Sequence, residues 1–237
     1  LKKLFIIETL IIIAIIATGL LSLLIEKIIY QPLLKKNSSL NVSMISSIGV
    51  MIVIINTLAM VYGNETKIIN TDISNSIIFG GIILTYTQIA QLVLSSLIFI
   101  LFFIFLKYSQ FGIKTWAMRD DDILFTVFGQ NLLQMRTLLF ILSGVFVSIG
   151  SIMVAYDVGF DPYVGMPMLL NAIVALIIGG IGRFEAPIIG GFIIGILQAL
   201  SVYTFSARWQ DAVTFILLIA FLLFRPQGIL GEKQRTV

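Results

Sequence analysis

The feature that most constrains this chain is a repeated one: long apolar stretches, each closed by a shorter polar interval. A bilayer core about 30 Å thick is crossed by a helix of roughly 20 apolar residues. Within it, every backbone amide must find its partner inside the protein, which leaves helices or a closed barrel. The stretches are long and show no strict alternation of apolar and polar residues, which selects helices. Only 11% of the 237 residues are charged and 59% are hydrophobic, against about 25% charged in a soluble domain. The expected fold is all-α, a polytopic transmembrane helical bundle of about seven spans over residues 4–29, 44–62, 88–106, 137–156, 166–182, 188–203 and 211–224. Nothing rich enough in Gly, Ser or Pro separates two domains, so residues 1–237 read as a single transmembrane domain.

Two details interrupt the pattern. Residues 77–87 carry Gly80-Gly81 among β-branched residues and predict a short extramembrane strand or hairpin. The spans at 166–182 and 188–203 are short, and Gly179, Gly180, Gly182, Gly190 and Gly191 crowd their junction. Backbone breaks at membrane depth are tolerated where protein or a water-filled cavity covers them. In the fourth span Gly144, Ser148, Gly150 and Ser151 supply small residues for close helix packing.

The longest polar interval is 107–136. It holds Lys107, Lys114, Arg119, Arg136 and the acidic run Asp120-Asp121-Asp122. Its second half places Ile123, Leu124, Val127, Phe128, Leu132 and Met135 at helical spacing. An amphipathic helix between two spans either lies along the bilayer surface or docks on a soluble partner. The plainer reading is a solvated loop with a short surface helix. The acidic run suits a helix N-terminus, where carboxylates complement the dipole, better than a metal site, since the chain has no His.

The residue inventory excludes several chemistries. With no Cys and no His, disulfides, thiolate nucleophiles and the commonest general base and metal ligand are all missing. No P-loop motif occurs, so the chain does not bind ATP in that manner. No ionisable residue falls clearly mid-span, and Glu8 lies near an interface; an ion-coupled carrier usually places such groups along its path. The polar residues within spans are Asn56, Gln88, Gln91, Ser95, Ser96, Asn171 and Gln198. Hydrogen bonding between helices is their ordinary role. Asn56, Asn171 and Gln198 are the candidates for lining a pathway, one suited to a small amphiphilic or zwitterionic solute.

Four stretches resemble permease subunits of the branched-chain amino acid ABC importers: Asp161-Pro162-Tyr163-Val164-Gly165, AIVALIIGGIG at 172–182, IIGGFIIGIL at 188–197, and WQDAVTFILLIAFLLFRPQGILG at 209–231. Glu26-Lys27-Ile28-Ile29-Tyr30-Gln31-Pro32-Leu33, Ile45-Ser46-Ser47-Ile48-Gly49 and Tyr108-Ser109-Gln110-Phe111-Gly112 agree with it. The chain is most similar to the first of the two permease types that pair in a heteromeric importer. In that family a cytoplasmic helix ends near a Gly that sits against the ATPase subunit. The resemblance therefore implies a coupling region at 107–136, with Trp116, Leu124, Phe128 and Gly129 on the ATPase contact. It also implies a second permease subunit, two ATP-binding subunits and an extracellular or periplasmic substrate-binding protein, with ATP hydrolysis on those partner chains. No cofactor and no nucleic acid is implied. The family carries a further N-terminal span, so this chain is expected to be N-terminally truncated. Two stretches depart from the family pattern. Arg183-Phe184-Glu185-Ala186 replaces a run of Ser, apolar, Pro, Gly, and Ile123-Leu124-Phe125-Thr126 replaces a small, Ala-rich face.

The expected function is a multi-pass plasma-membrane permease subunit for branched-chain or related amino acids, not an enzyme. The rivals are an ABC permease for another small polar solute such as urea, an amide or a sugar, an ion-coupled secondary carrier, and a membrane scaffold. A carrier moves solute in liposomes on an ion gradient alone, and a scaffold shows no solute dependence.

Of 15 basic residues, 11 fall after the first, third, fifth and seventh spans, which puts interval 107–136 and the C-terminus in the cytoplasm. Single Cys residues introduced into this Cys-free chain at Lys114, Lys233 and Lys67 test it. A membrane-impermeant thiol reagent applied to intact cells is expected to label position 67 alone; labelling at 114 would reverse the orientation.

Overall fold

The computed structural model describes residues 2–36, 38–69, 76–79, 82–180, 182–225 and 227–231. Gly80-Gly81, Ile181, Pro226, Lys233 and Arg235, all used in the sequence reading, lie outside them. The chain forms two compact units, Leu1–Asp161 and Pro162–Val237.

In the first unit, α1 (Lys2–Ile25) runs through a π-helical turn, Glu26–Tyr30, into α2 (Gln31–Lys35). Pro32 has no N–H to give the carbonyl four residues back, and the ladder widens directly before it. The apolar helix therefore reaches Lys35, past the expected end at residue 29. Helix α3 (Leu40–Tyr62) stops at Gly63, whose φ of 84° ends the helix in a conformation that favours glycine. Strands β1 (Ser76–Phe79) and β2 (Ile82–Thr85) pair antiparallel, Ser76 opposite Thr85 and Phe79 opposite Ile82, and form the expected hairpin. Thr85 and Gln88 then open α4 (Tyr86–Tyr108) with a reciprocal capping box, which satisfies two of the orphan amides of that terminus. Gln88 is thus a cap.

Helices α5 (Gln110–Asp120) and α6 (Asp122–Val127) precede the longest element, α7 (Leu132–Val158). In lipid, apolar side chains gain nothing by leaving one helix for another, so helices associate where small residues allow close contact. That contact joins α1 to α7. A side chain at Gly144 would meet Ser22 Cβ at 2.7 Å and the Thr18 carbonyl at 3.1 Å. The Ser22 hydroxyl donates to the Phe140 carbonyl at 2.6 Å, and the Tyr30 and Phe140 rings stack 5.3 Å apart. Ser148 is buried. Gly150 has open space around it and Ser151 is exposed, so of the four small residues expected to pack closely, two are enclosed. Helix α4 is tied to α7 by Gln91, whose amide donates to the Met153 carbonyl at 2.6 Å. No described residue of α3 is buried. Backbone bonds between Lys67 and Phe160, 2.9 and 3.0 Å, join the segment after α3 to the end of α7.

The second unit contains α8 (Gly165–Gly179), α9 (Ala186–Thr204), a 3-10 turn at Ala207–Trp209 and α10 (Gln210–Phe224). Its core is Val174, Ala175, Ile178 and Ile194, flanked by Leu217, Leu218, Phe221 and Ile229. Among the described residues six helices are long and apolar enough to cross a membrane. The fifth expected span is the exception. At 15 residues, α8 extends about 22 Å against a core of about 30 Å. The count of seven resolves into six membrane-length helices and one short apolar helix.

Candidate functional site

Interval 107–136 begins at a tight corner. Ser109 is extended, ends α4 and caps α5 by accepting from Phe111 N at 3.0 Å. Gly112 is buried, and a Cβ there would overlap the Leu106 carbonyl, so the corner closes only around glycine. Helical spacing from Ile123 to Met135 suggested one amphipathic helix, and that reading needs correction. Asp121 adopts extended backbone (φ −158°, ψ 110°) and its carboxylate accepts from the amides of Ile123 and Leu124, both at 2.9 Å. The acidic run is a helix N-terminus, but of a second helix. Helix α6 ends at once: Gly129 N donates to the Thr126 carbonyl at 2.9 Å and Gln130 N to the Phe125 carbonyl at 3.3 Å. With Gly129 at φ 74°, this is a Schellman closure.

The break divides the predicted apolar face. Phe125 points inward at 4% exposed, and Met135, on α7, is buried. Ile123, Leu124, Val127 and Phe128 point outward, Phe128 at 78% exposed. Trp116, on α5, is partly exposed and lies under the Arg119 guanidinium. Trp116 therefore sits on a different helix from Leu124, while Phe128 and Gly129 form the turn that ends α6.

In the second unit the glycine-rich junction is a set of backbone contacts. A Cβ on Gly179 would overlap the Ala186 carbonyl, and one on Gly190 the Ala175 carbonyl. Gly180 has φ 116° and is covered by residues 227–231. There Ile229 N donates to the Ile178 carbonyl at 2.9 Å and Leu230 N to the Gly179 carbonyl at 2.8 Å. These bonds satisfy carbonyls that the end of α8 leaves without partners. The segment after α10 that carried the resemblance, Gln227 to Gly231, is thus a main-chain clasp on α8. Gly182 has φ 107° and open space, and Gly191 has open space with no special conformation.

The polar residues of the spans separate into two kinds. Asn56 is exposed on α3 and donates to the Ile52 carbonyl at 2.8 Å within its own helix. Asn171 and Gln198 meet. Gln198 Nε2 donates to Asn171 Oδ1 at 3.2 Å and to Thr214 Oγ1 at 2.7 Å, while Gln210 Nε2 donates to Gln198 Oε1 at 3.2 Å. One amide thereby joins α8, α9 and α10. Thr214 is buried and its hydroxyl donates to the Gln210 carbonyl at 3.1 Å. A cavity of about 100 Å³ opens beside this network, lined by Asn171, Thr214 and Asp211 among apolar residues that include Leu170 and Phe215.

Sequence reasoning missed Glu26. It stands near the end of the first expected span, 4–29, with no role of its own in the sequence reading, yet it is fully buried. Its Oε1 is 3.7 Å from Arg136 Nε.

A family model described as branched-chain amino acid transport system / permease component matches residues 2–222. The chain is 28% identical over 227 residues to the high-affinity branched-chain amino acid transport system permease protein BraD of Pseudomonas aeruginosa, covering 93% of this chain and 73% of the relative. It is 28% identical over 216 residues to the corresponding permease protein LivH of Escherichia coli K12, covering 89% and 70%. No solved structure matches the chain.

Gly190 and Gly191 are neighbours with opposite surroundings. Gly190→Ala is expected to lower stability by about 1–3 kcal/mol, the scale of overpacking against backbone. Gly191→Ala should stay within about 0.5 kcal/mol. Thermal denaturation of both variants in one detergent compares them; equal midpoints would dismiss the close contact of α8 and α9.

Proposed function

The chain belongs to the family of permease components of branched-chain amino acid transport systems, and from that premise we propose that it forms part of the pathway by which an ATP-driven importer takes up branched-chain or related amino acids. It is a transport subunit and carries out no covalent chemistry. A second permease subunit completes the pathway, two ATP-binding subunits supply the energy, and a substrate-binding protein delivers the solute from outside. The family match extends across both compact units, and we take them as parts of one permease domain in the cell membrane. The charge bias assigns interval 107–136 and the C-terminus to the cytoplasm, with α8 counted as a crossing.

The observation that carries the coupling role is α6. It is a short helix capped at both ends by defined backbone geometry, and it presents Ile123, Leu124, Val127 and Phe128 to its surroundings. An amphipathic helix with an exposed apolar face suits a hydrophobic groove on a partner. Fixed termini reduce the entropy lost on docking. On this reading Leu124 and Phe128 anchor the contact, Gly129 turns the chain away from it, and Trp116 flanks it from α5. Asn171 and Gln198 border the pathway within the second unit. Selectivity among solutes rests largely with the binding protein.

Phe128 and Leu124 are exposed, so truncating them costs the fold little, and any effect reports the contact. Phe128→Ala with Leu124→Ala is expected to leave membrane insertion unchanged and to weaken ATPase association by about 2 kcal/mol or more, the scale of a buried interface anchor. Gly129→Trp adds a side chain at a positive φ and should abolish leucine uptake. The checks are co-purification of the ATP-binding subunits and uptake of labelled leucine against excess urea. Retention of both by all variants would remove α6 from the contact, and uptake competed by urea but not by valine would replace the solute class.

A further inference from the structure

The Glu26–Arg136 pair has no part in the transport reading so far. Glu26 opens the π-turn of the first helix, its side chain 1% exposed, and Arg136 is 31% exposed. At 3.7 Å the charges attract each other but lie beyond hydrogen-bond reach. Among the described residues neither Glu26 oxygen nor Arg136 Nε has a hydrogen-bond partner. A buried pair in this geometry costs more in desolvation than it gains, and apolar residues of similar size would join the same helices more firmly. Burial alone does not account for the pair. Its location suggests another role. The π-turn is a local irregularity of the kind often found at functional sites, and Arg136 stands in the second turn of α7, the helix that follows the α6 turn.

We propose that Glu26 and Arg136 form a latch that fixes the second turn of α7 to the first span, so that displacement of α6, passed on through the start of α7, moves the α1–α7 pair. The inference rests on the reading of α6 as the ATPase contact. Both are positioning residues. The pair stands open here; drawn together to about 2.8 Å it would gain a charge-assisted hydrogen bond. The latch therefore has two arrangements differing by about 1 Å, and the two backbones can shift between them without parting.

The test uses the complete complex, with its ATP-binding subunits and binding protein, in proteoliposomes. Glu26→Gln removes a buried charge and leaves a partly hydrated Arg, so insertion and ATPase association should be normal. Leucine uptake per ATP hydrolysed should fall about tenfold. Arg136→Gln strands the carboxylate and should lower the yield of assembled protein, whereas the double variant Glu26→Gln with Arg136→Gln should recover yield but not the uptake ratio. An unchanged uptake ratio in Glu26→Gln overturns the latch. So does normal yield of Arg136→Gln, or loss of the ATP-binding subunits from Glu26→Gln, which would make the pair a docking determinant. If the unmodified chain neither retains ATP-binding subunits nor takes up leucine in their presence, the transport reading falls first and the latch with it.

Discussion

Everything in this structure depends on how a polypeptide makes specific contacts in a solvent as apolar as its own side chains. Hydrophobic burial cannot distinguish a helix neighbour from a lipid tail, so specificity passes to backbone proximity and hydrogen bonds. The first unit shows this at Gly144 against Ser22 and at the Ser22 bond to the Phe140 carbonyl. The second shows it at Gly179, Gly190 and the Gln198 amide that joins three helices. At each of these points a small residue or a polar group stands where a soluble protein would use a large apolar one.

The same logic separates what was legible in the sequence from what was not. Helix-forming stretches were plain, because length and apolarity suffice to identify them. The hairpin before α4 was legible from β-branched residues around a glycine pair. Element ends were harder, since they depend on single side chains. The turn at Gly129 divided one apolar face between two helices, although the apolar spacing ran on from Ile123 to Met135 through the break. Gly190 and Gly191 are identical in sequence terms, and only the position of the Ala175 carbonyl tells them apart. Asn171 and Gln198 could be selected as polar residues in apolar spans; that they bond to each other required the packing of α8 on α9. Asn56, selected for the same reason, satisfies itself within its own helix. Glu26 was missed because hydropathy reads position along the chain and does not see the α7 side chain opposite.

Interval 107–136 joins these strands. It is polar in composition, yet its conformation is closely specified by Gly112 at the first corner, Asp121 at the second and Gly129 at the third. Each turn is set by backbone geometry or a single cap, so α6 is held in a defined place while its outward side chains remain free to meet a partner. The coupling role proposed for this interval calls for a stiff loop between spans, and three fixed turns are what would make it so.

The clasp that residues 227–231 place on α8 has a consequence for how the protein is made. The carbonyls of Ile178 and Gly179 take their hydrogen bonds from Ile229 and Leu230, about fifty residues later in the chain. Between them the ribosome must deliver α9 and α10. Throughout that interval the exit of α8 has unpaired acceptors in or near the bilayer, a state that is costly until water, the insertion machinery or a neighbouring helix shields it. The end of the unit's first helix is thus completed only after its last helix has been made.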